Sequence, residues 1–307
     1  MVDCAYIFPG QGSQYAGMGK ALYDSFPQAR DVFEQANRAL DFDITKLCFE
    51  GPIEELTRSE NCQPAILTVS IAALKALRAH NKKFDVKASL GLSLGEYSAL
   101  VAADALAFGD AVRLVKLRGY FMDEAAKQFP GKMASILNLE LSGVEKICEE
   151  SWAEIANLNC PGQVVISGTN EAVDRALAIV KESGKGKAIP LKVSGAFHSS
   201  LMSAAGQRLK DALTKVNIFK PEIPVISNIT AAPQEEPADI AENMVDQVSC
   251  STRWEASIRL VASKNINTFL EIGPGKVLKG LLRRIDPNLT VYNIETPEDI
   301  NALLLDK

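Results

Sequence analysis

Residues 88–106 read ASLGLSLGEYSALVAADAL, and this stretch decides the fold. Ala88 to Leu92 is a short apolar run of strand length, and from Leu94 onward the pattern turns helical. Between the two lies Gly91-Leu92-Ser93-Leu94-Gly95, a G-x-S-x-G sequence in strand–turn–helix context. Its glycines permit a sharp turn from which the Ser93 oxygen projects. The helix behind it, EYSALVAADAL, reads as amphipathic and offers free N–H groups and the positive end of a dipole. Ser93 is therefore either an activated nucleophile or the cap of a helix, and the turn alone does not separate the two.

Working outward, short apolar runs alternate with helical patterns along most of the chain, which predicts a parallel sheet wrapped by helices. Ala5 to Phe8 is a strand leading into the glycine-rich PGQGSQYAGMG, and Pro64 to Ala79 is a helix. Pro224 to Ser227 and Thr268 to Ile272 are further strands, each expected to be followed by a turn and a helix. The middle differs. After Pro130-Gly131 come a strand (Met133 to Leu139), a helix (Gly143 to Trp152), two strands (Ile155 to Asn159, Val164 to Gly168), a helix (Ala172 to Ser183) and a strand (Ala188 to Val193). That βαββαβ order is the split βαβ of ferredoxin-like domains. It predicts a small subdomain, residues 129–195, inserted into a larger one built from 1–128 and 196–307, with a substrate cleft between them.

A nucleophilic serine needs a base, and the chain has 2 histidines. His80 lies at the polar end of a helix, where a solvated side chain is expected. His198, in Val-Ser-Gly-Ala-Phe-His-Ser-Ser, falls where the inserted segment returns to the larger one, within reach of the cleft. No Asp or Glu near it stands out as a third member. On the helix Gly109 to Ala126, Arg118 shares the apolar stripe of Ala111, Leu114, Val115, Phe121, Met122 and Ala125. An arginine on a core face needs an anionic partner. Two partners fit: a buried structural carboxylate, or a carboxylate on the substrate matching the guanidinium fork.

Other functions are disfavoured. The Pro9-Gly10-Gln11-Gly12-Ser13-Gln14 loop fails the dinucleotide pattern, because Tyr15 stands where a third glycine is needed. Gly273-Pro274-Gly275-Lys276 lacks P-loop spacing. Both loops are expected to bring backbone close to a site. The six cysteines form no CxxC pair, which argues against zinc or a redox motif and for buried free thiols. A net charge of −5 with scattered basic residues disfavours nucleic acid. The 307 residues, 47% apolar and 23% charged, suit a globular protein, and stretches such as Ala65 to Leu77 are too short and interrupted to span a bilayer. The start, MVDCAYIFPGQG, has no signal-peptide pattern, so the cytoplasm is the expected compartment, with import of a processed form into an organelle left open.

FPGQGSQYAGMGK, QPAILTVSIAAL, GLSLGEYSALVAADAL, AVRLVKLRGYFM, NCPGQVVISG, SGAFHSSLM and EIGPGKVL occur in this order. Together they resemble the malonyl-CoA:acyl carrier protein transacylases over essentially the whole length. The resemblance implies an α/β-hydrolase-like core with an inserted ferredoxin-like subdomain. It further implies that Ser93 is the nucleophile, His198 its base, and Arg118 the partner of the malonyl carboxylate. Gln11 and Leu94 would supply the oxyanion-hole amides, and the Gln247 main-chain carbonyl would orient the histidine, so no acidic third member is needed. Asn159 would line the cleft, and Phe197, in the Ala-Phe-His of malonyl-selective relatives, would crowd an α-methyl group. Leu92 departs from the family, many members of which carry histidine there. The implied reaction moves malonyl from malonyl-CoA, a substrate and not a resident cofactor, to the phosphopantetheine thiol of acyl carrier protein, supplying fatty-acid elongation. The alternatives are a serine thioesterase or other hydrolase, in which water takes the acyl group, and a non-catalytic carrier-protein docking module.

Overall fold

The computed structural model describes residues 1–80 and 83–305. It opens with β1 (Val2–Phe8), α1 (Lys20–Ser25), α2 (Pro27–Ala39), α3 (Ile44–Glu50), α4 (Ile53–Thr57), α5 (Ser59–His80), β2 (Phe84–Gly91), α6 (Gly95–Ala102) and α7 (Phe108–Gln128). The middle is β3 (Gly131–Leu137), α8 (Leu141–Ser151), β4 (Glu154–Cys160), β5 (Gln163–Thr169), α9 (Asn170–Ser183) and β6 (Lys187–Pro190). The chain closes with α10 (Ser203–Leu213), β7 (Val225–Ile226), β8 (Pro233–Gln234), α11 (Pro237–Asp246), α12 (Trp254–Ser263), β9 (Thr268–Ile272), α13 (Val277–Ile285), β10 (Thr290–Ile294) and α14 (Pro297–Leu305).

The larger sheet has the order β10-β9-β1-β2-β7-β8. Every pairing is parallel except β7 with β8. β1 is apolar on both faces, as an interior parallel strand must be. Cys4, Tyr6 and Phe8 point into the core that holds α5 and α7, while Ala5 and Ile7 point to the opposite core with α12 and α13. The carboxyl ends of β1 and β2 lie side by side, the edge at which open α/β sheets present their sites. Helix α7 crosses α5 so closely that a Cβ on Gly119 would sit 2.3 Å from the Ser59 carbonyl oxygen. Only glycine allows that approach, and it carries the neighbouring Arg118 up to Gln63 of α5.

The second sheet, in the order β4-β5-β3-β6, is antiparallel throughout. Its ferredoxin-like topology matches the predicted βαββαβ order. One face packs on α8 and α9 through Ala134, Ile136, Val164 and Ile166. The other faces the larger sheet, and Thr252, between α11 and α12, ties that part of the chain to β4 by donating to Ala156 (2.9 Å) and accepting from Leu158 (2.9 Å).

Three expectations need correction. The helix after Ser93 is neither amphipathic nor long enough to reach Leu106: α6 ends at Ala102 and all eight of its residues are buried. It lies under the sheet edge with no solvent face, so no polar stripe is required. The strand at 225–226 is followed not by a helix but by the β7–β8 hairpin. Among the cysteines Cys250 is exposed, whereas the other five are buried. Among the described residues, no helix is long and apolar enough to cross a membrane.

Candidate active site

The turn between β2 and α6 is held by close contacts. A Cβ on Gly91 would fall 1.9 Å from the Gly95 carbonyl carbon, and one on Gly95 would fall 2.1 Å from the Phe8 carbonyl oxygen. Neither position accepts a side chain, which explains both glycines of the motif. Ser93 sits in the left-handed region with φ 51°, a conformation costing a non-glycine residue about 1–3 kcal/mol. Asn228 braces it: its Oδ1 accepts from the Ser93 amide (2.7 Å) and its Nδ2 donates to the Gly91 carbonyl (2.7 Å). Gln247 Nε2 donates to the Ser93 carbonyl (3.1 Å).

His198, also left-handed at φ 56°, places Nε2 2.8 Å from Ser93 Oγ. Its Nδ1 lies 2.7 Å from the Gln247 carbonyl oxygen, which only an Nδ1–H can satisfy. That tautomer leaves the Nε2 lone pair facing the serine hydroxyl. Burial, with the nearby Arg118 charge, lowers the His198 pKa to about 4 against the pull of the backbone carbonyls, so the ring is neutral at pH 7.

Arg118 is 1% exposed. Its Nη1 donates to Gln63 Oε1 (2.8 Å), and its Nη2 donates to Gln247 Oε1 (3.0 Å) and to Ser93 Oγ (3.1 Å). The Tyr97 ring lies 5.4 Å beneath the guanidinium. Nε has no partner, and among the described residues Arg118 makes no ion pair. Burial works against its charge. Of the two partners open to it in sequence, the structural salt bridge is absent.

These groups open into a cleft of about 240 Å³ that runs between the two sheets. Gln11, Ser93, Arg118, Phe197 and His198 line it from the larger sheet's side, and Asn159 with Met133 and Leu191 from the smaller. Asn159 is buried, with its Oδ1 unpartnered. The glycine-rich loops also converge here: Gly10 packs against the Leu92 carbonyl and Gly275 against Ser13. The Leu94 amide lies at the N-cap of α6, and neither it nor the Gln11 amide donates to an acceptor among the described residues. Leu94 and Gln247 stand behind the cleft wall. His80 is remote and exposed, as expected.

Sequence reasoning missed Gln63, Asn228 and Glu96. Glu96 is the one charged residue in the otherwise uncharged stretch 88–103, which was the available signal, whereas Gln63 follows the polar run Arg58–Asn61 and does not stand out. Asn228 follows a two-residue strand and offered none.

A strained serine at a strand-to-helix turn, with a neutral histidine on its oxygen and an α/β-hydrolase-like sheet behind it, defines a serine-dependent acyl-transfer enzyme. A family model described as the acyl transferase domain matches residues 5–286. The chain belongs to the malonyl-CoA:acyl carrier protein transacylase family. It is 46% identical to the malonyl CoA-acyl carrier protein transacylase of Bacillus subtilis (strain 168), over 99% of this chain and 97% of that one. The solved structure of the Coxiella burnetii malonyl CoA-acyl carrier protein transacylase superposes with a TM-score of 0.96 at 37% identity, covering 99% of this chain and 97% of the other. A malonyl-transacylase solved in complex with its type II polyketide acyl-carrier protein gives a TM-score of 0.95 at 35% identity, over 100% of both chains.

Proposed function

We propose that this enzyme transfers malonyl from malonyl-CoA to the phosphopantetheine thiol of acyl carrier protein through a malonyl ester on Ser93, supplying fatty-acid elongation in the cytoplasm. His198 Nε2 takes the Ser93 proton as Oγ attacks the thioester carbonyl. The negative charge that develops on the carbonyl oxygen is held by the Gln11 and Leu94 amides, each donor of this kind being commonly worth about 3 kcal/mol. As the tetrahedral intermediate collapses, the C–S bond breaks and the proton on His198 passes to the sulfur of coenzyme A. The carrier thiol then attacks malonyl-Ser93, His198 takes its proton, and the proton returns to Ser93 as the ester C–O bond breaks. The Gln247 carbonyl keeps the imidazole in the required tautomer throughout.

In this reading residues 1–128 with 196–307 form the catalytic subdomain, and 129–195 form the small subdomain that closes the cleft. Phe197 and Asn159 are its walls, and Phe197 crowds an α-substituent.

The observation that carries the reading is the buried Arg118 without an ion pair beside Ser93. A buried cation satisfied only by neutral groups is best completed by a carboxylate that arrives with the substrate. Arg118→Ala should cut kcat/KM for malonyl-CoA by roughly a hundredfold or more and leave acetyl-CoA transfer little changed. Arg118→Lys should rescue only in part, because an ammonium lacks the fork. Equal losses for both acyl groups would make the arginine structural.

A further inference from the structure

Two carboxylates are fully buried among the described residues, Glu96 and Glu271. Glu271 is accounted for: it accepts from the Leu278 and Lys279 amides and so caps α13. Glu96, three residues beyond the nucleophile in the first turn of α6, takes no part in the steps above. Its Oε1 accepts from Gln234 Nε2 (2.7 Å), and its Oε2 accepts from Gln247 Nε2 (2.5 Å) and the Asn228 amide (3.3 Å). Two of these three donors hold the active site directly. Asn228 braces Ser93, and Gln247 touches Ser93, Arg118 and His198.

The acceptors around Gln247 leave its side-chain amide one orientation. The Ser93 carbonyl can only accept and Arg118 Nη2 can only donate, so Nε2 turns to Ser93 and Glu96 while Oε1 turns to Arg118. Carboxylate, amide and guanidinium thus form one chain in which each link sets the next. We infer that Glu96 is a positioning residue: by fixing Gln247 it aims the Arg118 guanidinium, and so sets the enzyme's preference for acyl groups that carry a carboxylate. The inference rests on the proposed role of Arg118.

Glu96→Gln keeps the shape but leaves one acceptor oxygen for three donors, so at least one donor faces an N–H₂ group. Gln247→Met removes the amide yet keeps the main-chain carbonyl that holds His198. Transfer kinetics with malonyl-CoA and acetyl-CoA test the idea. Glu96→Gln should lower kcat/KM for malonyl-CoA about tenfold or more and for acetyl-CoA less than about threefold, since Gln247 must then compete with Gln234 and Asn228 for a single neutral acceptor oxygen. The double variant should match Gln247→Met within about twofold, because the connection is already cut. Equal losses for both acyl groups, or losses that multiply in the double variant, would overturn the inference. So would a folded Gln247→Met enzyme with the wild-type malonyl-to-acetyl ratio, which decides the matter even if Glu96→Gln does not fold. Ser93→Ala, run alongside, separates the two levels: transfer persisting there would sink the proposed function itself.

Discussion

At the residue scale, the site gathers groups whose charged forms are disfavoured by burial. In the proposed mechanism His198 must be neutral to act as a base, and its lowered pKa keeps it so well into acid. A base is lost by protonation, so activity should fall as pH drops. With the folded-state value at about 4, the acid limb that His198 contributes to kcat/KM should lie near 4 instead of near the ordinary 6.5. Glu96, whose carboxyl is pushed up to about 7 by burial against the pull of its donors, is a second group titrating in the range. Profiles of wild type and Glu96→Gln, taken as initial rates, tell the two apart. An acid limb near 6.5 that persists in Glu96→Gln would mean that His198 is solvated during turnover. Ser93, His198 and Arg118 were legible in sequence because each is the wrong residue type for its surroundings: a serine between glycines, a histidine at a segment junction, an arginine on an apolar stripe. Gln247 was reachable only by resemblance, since its contribution to the base is a backbone carbonyl, which no side-chain type encodes.

At the scale of elements, the turn that carries Ser93 has the tightest approaches among the glycines, 1.9 Å at Gly91 and 2.1 Å at Gly95. Gly95→Ala drives a methyl group into the Phe8 carbonyl of the neighbouring strand. It should lower unfolding stability by about 3 kcal/mol or more in urea titration. Gly280, within α13, has open space where a Cβ would go, and Gly280→Ala should raise stability by about 0.5–1 kcal/mol. The reverse ordering would mean that the turn relaxes freely, contrary to the tight packing described. Elements with a clean period were read well: Thr268 to Ile272 is β9 to the residue, and the stripe on α7 placed Arg118 correctly. The errors came where burial erased the period. α6 is buried on every side, so its sequence carries no solvent face. β7 and β8 are two residues each, too short for any alternation, and the strand β10 at the sheet edge was not foreseen.

At the scale of the whole molecule, function depends on two sheets meeting. Ser93, His198 and Arg118 line the cleft from the parallel sheet's side and the antiparallel sheet's side supplies the opposite wall, with Thr252, beyond the segment that carries Gln247, bonded to β4. The βαββαβ order in the sequence announced the smaller sheet. It could not reveal that the glycine-rich loops after β1 and β9 would meet the same cleft, because that contact joins residues far apart in the chain. The central claim is that Ser93 carries the acyl group between the two thiols. Mixing the enzyme with malonyl-CoA alone, then measuring the intact mass and mapping the modified peptide, tests it most directly. The account predicts one malonyl group, esterified to Ser93, that disappears when acyl carrier protein bearing its phosphopantetheine thiol is added. Malonyl found on Cys160 in the cleft's neighbourhood or on the exposed Cys250, or an enzyme that transfers malonyl without ever carrying it, would contradict the account.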